Sequence, residues 1–305
     1  MIDFRYHIVS IVAIFLALAV GIVLGSGPLK DDISGFLEDR TNALALDKVQ
    51  LQGEVADLRT DIESSQRYAE LVQPAVVSGL LVAQPVTVVV LPDASGDAVK
   101  AVEEAVDQAG GRVTEHIEID GSWTDPDQTD VLGRVDEGFA RGGDNGQPYE
   151  LAGQVLASAL VTDNPRLAGT PYAPATAIVG EYEKAGFVHS DEQEVSPGGS
   201  AIVVGSDVDS AAKSATLLPL ISWLDSGSEG AVVSGPLPSA EDGGIVGSVR
   251  DSDFDDAVST VDQVDTAQGV TVTVLALVDQ REGQVGHYGI GPGSQGPAPD
   301  PVPGT

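Results

Sequence analysis

The sequence predicts an α/β protein: an N-terminal single transmembrane helix and a coiled-coil stem, followed by a three-layer, Rossmann-like α/β domain with a helical insert. Three observations predict it. Ile8 to Leu24 form an uncharged apolar run with Ser10 as its one polar member, leucines then recur every seventh residue, and from about residue 85 short β-branched runs alternate with helically spaced ones. The expected divisions are a cytoplasmic N-terminus at 1–7, the membrane helix at 8–25, the stem at 30–73, an extracytoplasmic α/β domain at 85–288 and a disordered Gly/Pro-rich tail at 289–305.

About 17 apolar residues at roughly 1.5 Å each give about 26 Å, the short end of what crosses a hydrocarbon core. A cleaved secretory signal is the competing reading, with Arg5 as the charged leader and a cut after Ala19 or after Gly25. Cutting after Ala19 would leave Val20-Gly21-Ile22-Val23-Leu24 at the new N-terminus, whereas a signal's apolar region ends before its cleavage site. Arg5 and His7 precede the run and Asp31-Asp32 follow it, so the positive-inside rule puts the N-terminus in the cytoplasm and the bulk of the chain outside. Ala13, Ala17, Gly21 and Gly25 recur every four residues on one face, the kind of small-residue face along which two membrane helices approach closely. The plainer reading is that Ala and Gly are common in membrane helices.

Leu37, Leu44, Leu51 and Leu58 fall seven apart; with these at d, Thr41, Lys48, Val55, Ile62 and Ala69 take a. This is the pattern of a coiled-coil seam, and it predicts a parallel homodimer formed through the membrane helix and the stem together. In this register Glu54 at g faces Arg59 at the next e, and polar Thr41 and Lys48 at a favour a defined register over maximum stability. An amphipathic helix folded back on the globular domain is the alternative. Pro74 is expected to end the stem.

Val86 to Leu91, bounded by Pro85 and Pro92, reads as a buried strand. A helix through Val99, Val102, Ala105, Val106 and Ala109 should follow, stopped by Gly110-Gly111, and then a strand from Arg112 to Ile119. Ser122 to Pro126 reads as a turn, and helices are expected over 128–140, 149–161 and 174–185 as the insert. A second α/β group is expected as strand 201–205, helix 211–224, strand 231–234, a short strand 244–249, helix 254–261 and strand 270–278. From Gly289 on, the Gly/Pro-rich segment cannot bury a core.

With 15 Lys plus Arg against 47 Asp plus Glu, the net charge is −32 and no contiguous basic patch exists, which excludes nucleic acid as a partner and argues against docking on anionic lipid. The absence of cysteine removes disulfides, thiolate metal sites and thiol nucleophiles. The loop Pro92 to Asp97 lacks the glycine and lysine spacing of a phosphate cradle, and its two aspartates repel phosphate. Ser95 reads as a helix cap, not as a nucleophile, because no Gly-x-Ser-x-Gly elbow surrounds it. His7, His116, His189 and His287 lack metal-site spacing. Asp251, Asp253, Asp255 and Asp256 lack the Gly and Glu of an EF-hand loop and read as a solvated helix N-terminus. No catalytic, cofactor-binding or tightly bound metal site is predicted.

The opening Arg5-Tyr6-His7-Ile8-Val9-Ser10 and Phe15 to Gly27, the unit ending Gln108-Ala109-Gly110-Gly111, and at the far end Ser259-Thr260-Val261-Asp262, Val274 to Leu277 and Val285-Gly286-His287-Tyr288-Gly289 resemble the actinobacterial copper transporter family MctB. The resemblance implies an envelope membrane protein, described as pore-forming, that exports copper ion across the outer membrane; His287, the histidine of the C-terminal motif, is a weak candidate copper contact and otherwise reads as a structural or interface residue. Some corynebacterial relatives, called SteB, are associated with a membrane partner, SteA, in daughter-cell separation. That implies a dimeric scaffold recruiting such a partner or a cell-wall hydrolase regulator. The residues themselves provide neither the alternating strands of a membrane barrel nor the sulfur that copper(I) prefers, Met1 being the one methionine, so on physical grounds the helix belongs in the inner membrane. An α/β enzyme is the third class of reading.

Overall fold

The computed structural model describes residues 4–25, 29–139, 147–207 and 210–300. They fall into two compact units, Met1–Ser65 and Gln66–Thr305.

In the first unit, α1 (Phe4–Gly25) holds the apolar run. Its Arg5–Gly25 stretch has a mean hydropathy of 2.9 and none of it is buried, and it is the one helix among the described residues long and apolar enough to cross a membrane. The second helix, α2 (Leu29–Val77), starts here and ends in the second unit. Pro74, expected as its stop, lies inside it. The helix continues because Pro74 sits in the last turn, where it forfeits one backbone donor, and its own carbonyl still accepts from Ser78 N at 3.2 Å.

The second unit is built on a seven-stranded sheet in the order β3-β2-β1-β4-β5-β6-β7. Its strands are β1 (Pro85–Val90), β2 (Arg112–Ile119), β3 (Val188–Ser190), β4 (Ser200–Val204), β5 (Ala231–Gly235), β6 (Ser259–Asp262) and β7 (His287–Tyr288). All pairings are parallel except β2 with β3. The central strands are β-branched and buried on both faces, so alternate residues feed two separate clusters. Val86, Val88, Ile202, Val204 and Val232 join α3 (Gly96–Gln108), α9 (Ala267–Arg281) and the end of α2. Val89, Ala201, Val203 and Val233 join α4 (Thr129–Glu137), α5 (Pro148–Leu160), α6 (Ala173–Ala185), α7 (Ala211–Ser226) and α8 (Ile245–Arg250).

Three expected elements change type. The strand expected at 244–249 is helix α8, where Gly247 rests against the carbonyls of Ala240 and Glu241. The helix expected at 254–261 is a series of turns followed by β6, and the strand expected at 270–278 is the interior of α9. The β-branched run of α9 is buried nearly all round, which removes the one-sided periodicity that marks a helix. Its start is fixed by Thr266, whose hydroxyl caps Gly269 N at 3.0 Å, and Thr273 Oγ1 hydrogen-bonds Ser234 Oγ at 2.6 Å. The short strands β3 and β7 were not expected. Nor does Gly289 to Asp300 behave as the expected tail: Gly289 N donates to Gly296 O at 2.8 Å and Gln295 N to His287 O at 2.7 Å, laying the segment along the sheet edge.

Candidate functional site

The family-like C-terminal motif folds into a buried polar cluster at the β6–β7 edge. Arg250, the last residue of α8, and Asp262, the last of β6, form an ion pair at 3.1 Å with side chains 3% and 0% exposed. Such a pair is stable only if every other donor and lone pair is used. Around this pair, Arg250 Nε donates to Thr260 Oγ1, Nη1 to Pro292 O and Nη2 also to Tyr288 O, while Asp262 accepts from Ile290 N at 2.8 Å and Gly291 N at 3.0 Å. Gly289 of the motif has φ of 126° and a Cβ there would overlap the Asp262 carboxylate, so only glycine fits.

His287 is buried on the same cluster. Thr260 Oγ1 accepts from Arg250 Nε and lies 3.0 Å from His287 Nδ1, where either the hydroxyl or the ring nitrogen can be the donor. Burial, and then the Arg250 charge, push the imidazole below its ordinary range and keep it neutral. The cluster is a clamp joining α8, β6, β7 and the segment after β7; sequence reasoning flagged its residues as a motif but missed Arg250, whose only signal is being a lone cation before four aspartates.

At the carboxyl ends of the strands, β1 and β4 lie side by side although their connections run to opposite edges, the usual crevice for a nucleotide. Here the crevice is acidic. Asp93 (φ 63°), Asp97 and Asp207 line the loops, and a Cβ on Gly205 would collide with the Ile245 side chain. Ser95 is at the N-cap of α3 without a side-chain cap bond. His116 Nδ1 is 2.6 Å from Glu103, which raises its pKa, and Glu118 lies 3.6 Å from Nε2. Among the described residues no group of three or more His, Cys, Asp or Glu side chains is placed to hold a metal ion, and Asp251 to Asp256 sit on the turns before β6.

The residues expected at an interface whose side chains are described are uncovered within the chain. Ala13, Ala17, Gly21 and Gly25 share one exposed face of α1, with nothing within 4 Å of a Cβ built on either glycine. Leu44, Leu51, Val55, Leu58 and Ile62 are 65%, 59%, 46%, 60% and 56% exposed, values that belong to an unpartnered apolar stripe. Leu37 lies in α2, but its side chain falls outside the described residues. Ala69, the next a position, is buried in the second unit, which limits the exposed seam to the part of α2 before it.

A family profile described as "Copper transport outer membrane protein, MctB" matches residues 1–299. The chain belongs to this family. Relatives named "Copper transporter MctB" from Mycobacterium tuberculosis (strain H37Rv) and Mycobacterium bovis are 27% identical over 307 residues, covering 96% of this chain and 98% of theirs. The relative of that name from Mycobacterium leprae is 28% identical over 326 residues with the same coverage. In this MctB-family chain, the end motif holds the Arg250–Asp262 clamp, and the apolar helix and the stripe from Leu44 to Ile62 are exposed within the chain.

Proposed function

We propose that the chain works as a parallel, single-span dimer in copper export or copper homeostasis of the cell envelope, with its N-terminus in the cytoplasm and a three-layer, Rossmann-like domain outside. The observation that carries the dimer is the uncovered stripe Leu44-Leu51-Val55-Leu58-Ile62, which follows in the sequence the small-residue face of α1. Family membership and the names of the mycobacterial relatives support the copper role. Copper ion is cargo in this reading. With no cysteine and Met1 the one methionine, this chain offers copper(I) no sulfur cage, and a single helix encloses no pore, so conduction would be a property of an assembly.

That same donor set favours a second reading: a dimeric scaffold that presents two outer domains to a membrane partner or cell-wall hydrolase regulator during cell separation, without transport. A deletion strain assayed both for intracellular copper under copper stress and for morphology without it separates the two. Raised copper in normally divided cells supports the transport reading. Chained cells with ordinary copper overturn it in favour of the scaffold.

A further inference from the structure

Successive side chains of β2 alternate between the two faces of the sheet. Ile117 and Ile119 join the cluster that contains α5, α6 and α7, so His116 and Glu118 belong to the opposite face, where α3 packs. There His116 has a carboxylate at each ring nitrogen. Nδ1 is 2.6 Å from Glu103 of α3, and Nε2 is 3.6 Å from Glu118, an ion-pair distance too long for a direct hydrogen bond. The imidazole side chain is 23% exposed, so solvent protons reach it.

A neutral imidazole has one N–H, so it donates to one of these carboxylates while its other nitrogen turns a lone pair toward the second. Only the imidazolium, with a donor on each nitrogen, suits both neighbours. The hydrogen bond to Glu103 pushes the pKa above its ordinary value of 6.5; burial works against the rise, and the charges of Glu103 and Glu118 add to it. The other groups around the ring are mostly acidic. β1 brings no titratable side chain, its residue opposite His116 being Val88. On α3, Lys100 stands one turn before Glu103 and lies 3.7 Å from Glu104, and Asp107 stands one turn after. Glu115 is buried on the far face of β2, where it accepts from Ser190 Oγ and Ser196 N. On β3, exposed His189 is the cross-strand partner of Glu118 and lies 3.4 Å from Glu183 and 3.5 Å from Asp191. Asp93 and Asp120 border one hollow with Glu118.

We propose that His116 is a proton-operated latch between α3 and the outer strands of the sheet: protonated, it ties Glu103 of α3 to Glu118 of β2, and deprotonated, it leaves one carboxylate facing a lone pair and the tie slackens. The folded chain holds this proton more tightly than the unfolded one. The latch therefore contributes stability that is fully present below about pH 6.5 and is lost as pH rises through the raised folded value. It depends neither on the dimer nor on copper.

The test uses the full-length chain in non-ionic detergent. NMR of the histidine rings, with the His116 signal assigned by its loss in His116→Gln, should give a titration midpoint above 6.5. Glu103→Gln should lower that midpoint, and Glu118→Gln, which acts from the longer distance, should lower it less. Urea unfolding is followed by the fluorescence of Trp123 and Trp223, the two tryptophans of the chain, both in the second unit. Between about pH 6 and about pH 9 the unfolding constant should rise several-fold more in the parent than in His116→Gln. Gln at 116 keeps a donor for Glu103 without the charge, and Glu115 is present in both chains, so the difference belongs to the imidazole. A midpoint at or below 6.5, a midpoint indifferent to Glu103→Gln, or parallel pH profiles of the two chains overturns the proposal.

Discussion

Asp262 shows how a motif residue can be demanding without being chemical. Its carboxylate neutralises a buried guanidinium and closes two backbone donors that would otherwise be orphaned, Ile290 N and Gly291 N. Asp262→Asn keeps the shape but leaves the Arg250 charge unpaired, and breaking one partner of such a buried pair costs about 3–5 kcal/mol. The expected outcome is a matching drop in denaturation free energy, together with faster amide exchange at Gly289 and Gln295. An effect under about 1 kcal/mol, the range of exposed pairs, would mean that the cluster is wetter than its burial implies. His287 joins this clamp through Nδ1, 3.0 Å from Thr260 Oγ1.

Elements read well from sequence where one physical signal dominated. Strand 86–91, helix α3 and strand β2 are bounded by Pro and Gly-Gly and patterned on one side, and they fall within a residue or two of expectation. The failure at 244–278 has a common cause: Val-rich segments buried on every side carry no periodicity, so β-branched composition suggested strand for what the order of the sheet makes a crossover helix. The clamp was legible only in part, since His287 and Asp262 sit in motif-like stretches while their contacts to 290–292 lie in a segment whose composition reads as disorder. The heptad pattern of the stem lies on one long helix that leaves Leu44 to Ile62 exposed, and its prediction belongs to this scale. Replacing Leu44 and Leu51 together by Lys puts two charges per chain into the seam, beside the Lys48 already at a. Light scattering of the full-length chain in nanodiscs should then give the monomer mass at concentrations where the parent is a dimer. A double variant that stays dimeric would move the interface off the stem.

For the whole molecule, the proposed dimer would have to join two chains of net charge −32 each. Two terms respond to salt in opposite directions. The g–e pairs between Glu54 and Arg59 are exposed and worth roughly 0.2–1 kcal/mol apiece, so screening weakens them slightly. Repulsion between the two acidic chains, and between facing Lys48 side chains at a, acts at longer range and is relieved as the Debye length falls from about 30 Å at 0.01 M to about 8 Å at 0.15 M. The leucine contacts respond little to salt at these concentrations, so the larger charge term decides the sign. Dimer dissociation in nanodiscs, followed by subunit exchange between differently labelled chains, should therefore become several-fold less favourable as sodium chloride rises from about 0.01 to 0.15 M. A dimer that loosens over the same range would be held by ion pairs, not by the apolar seam, and the Leu44 to Ile62 stripe would then need a different occupant.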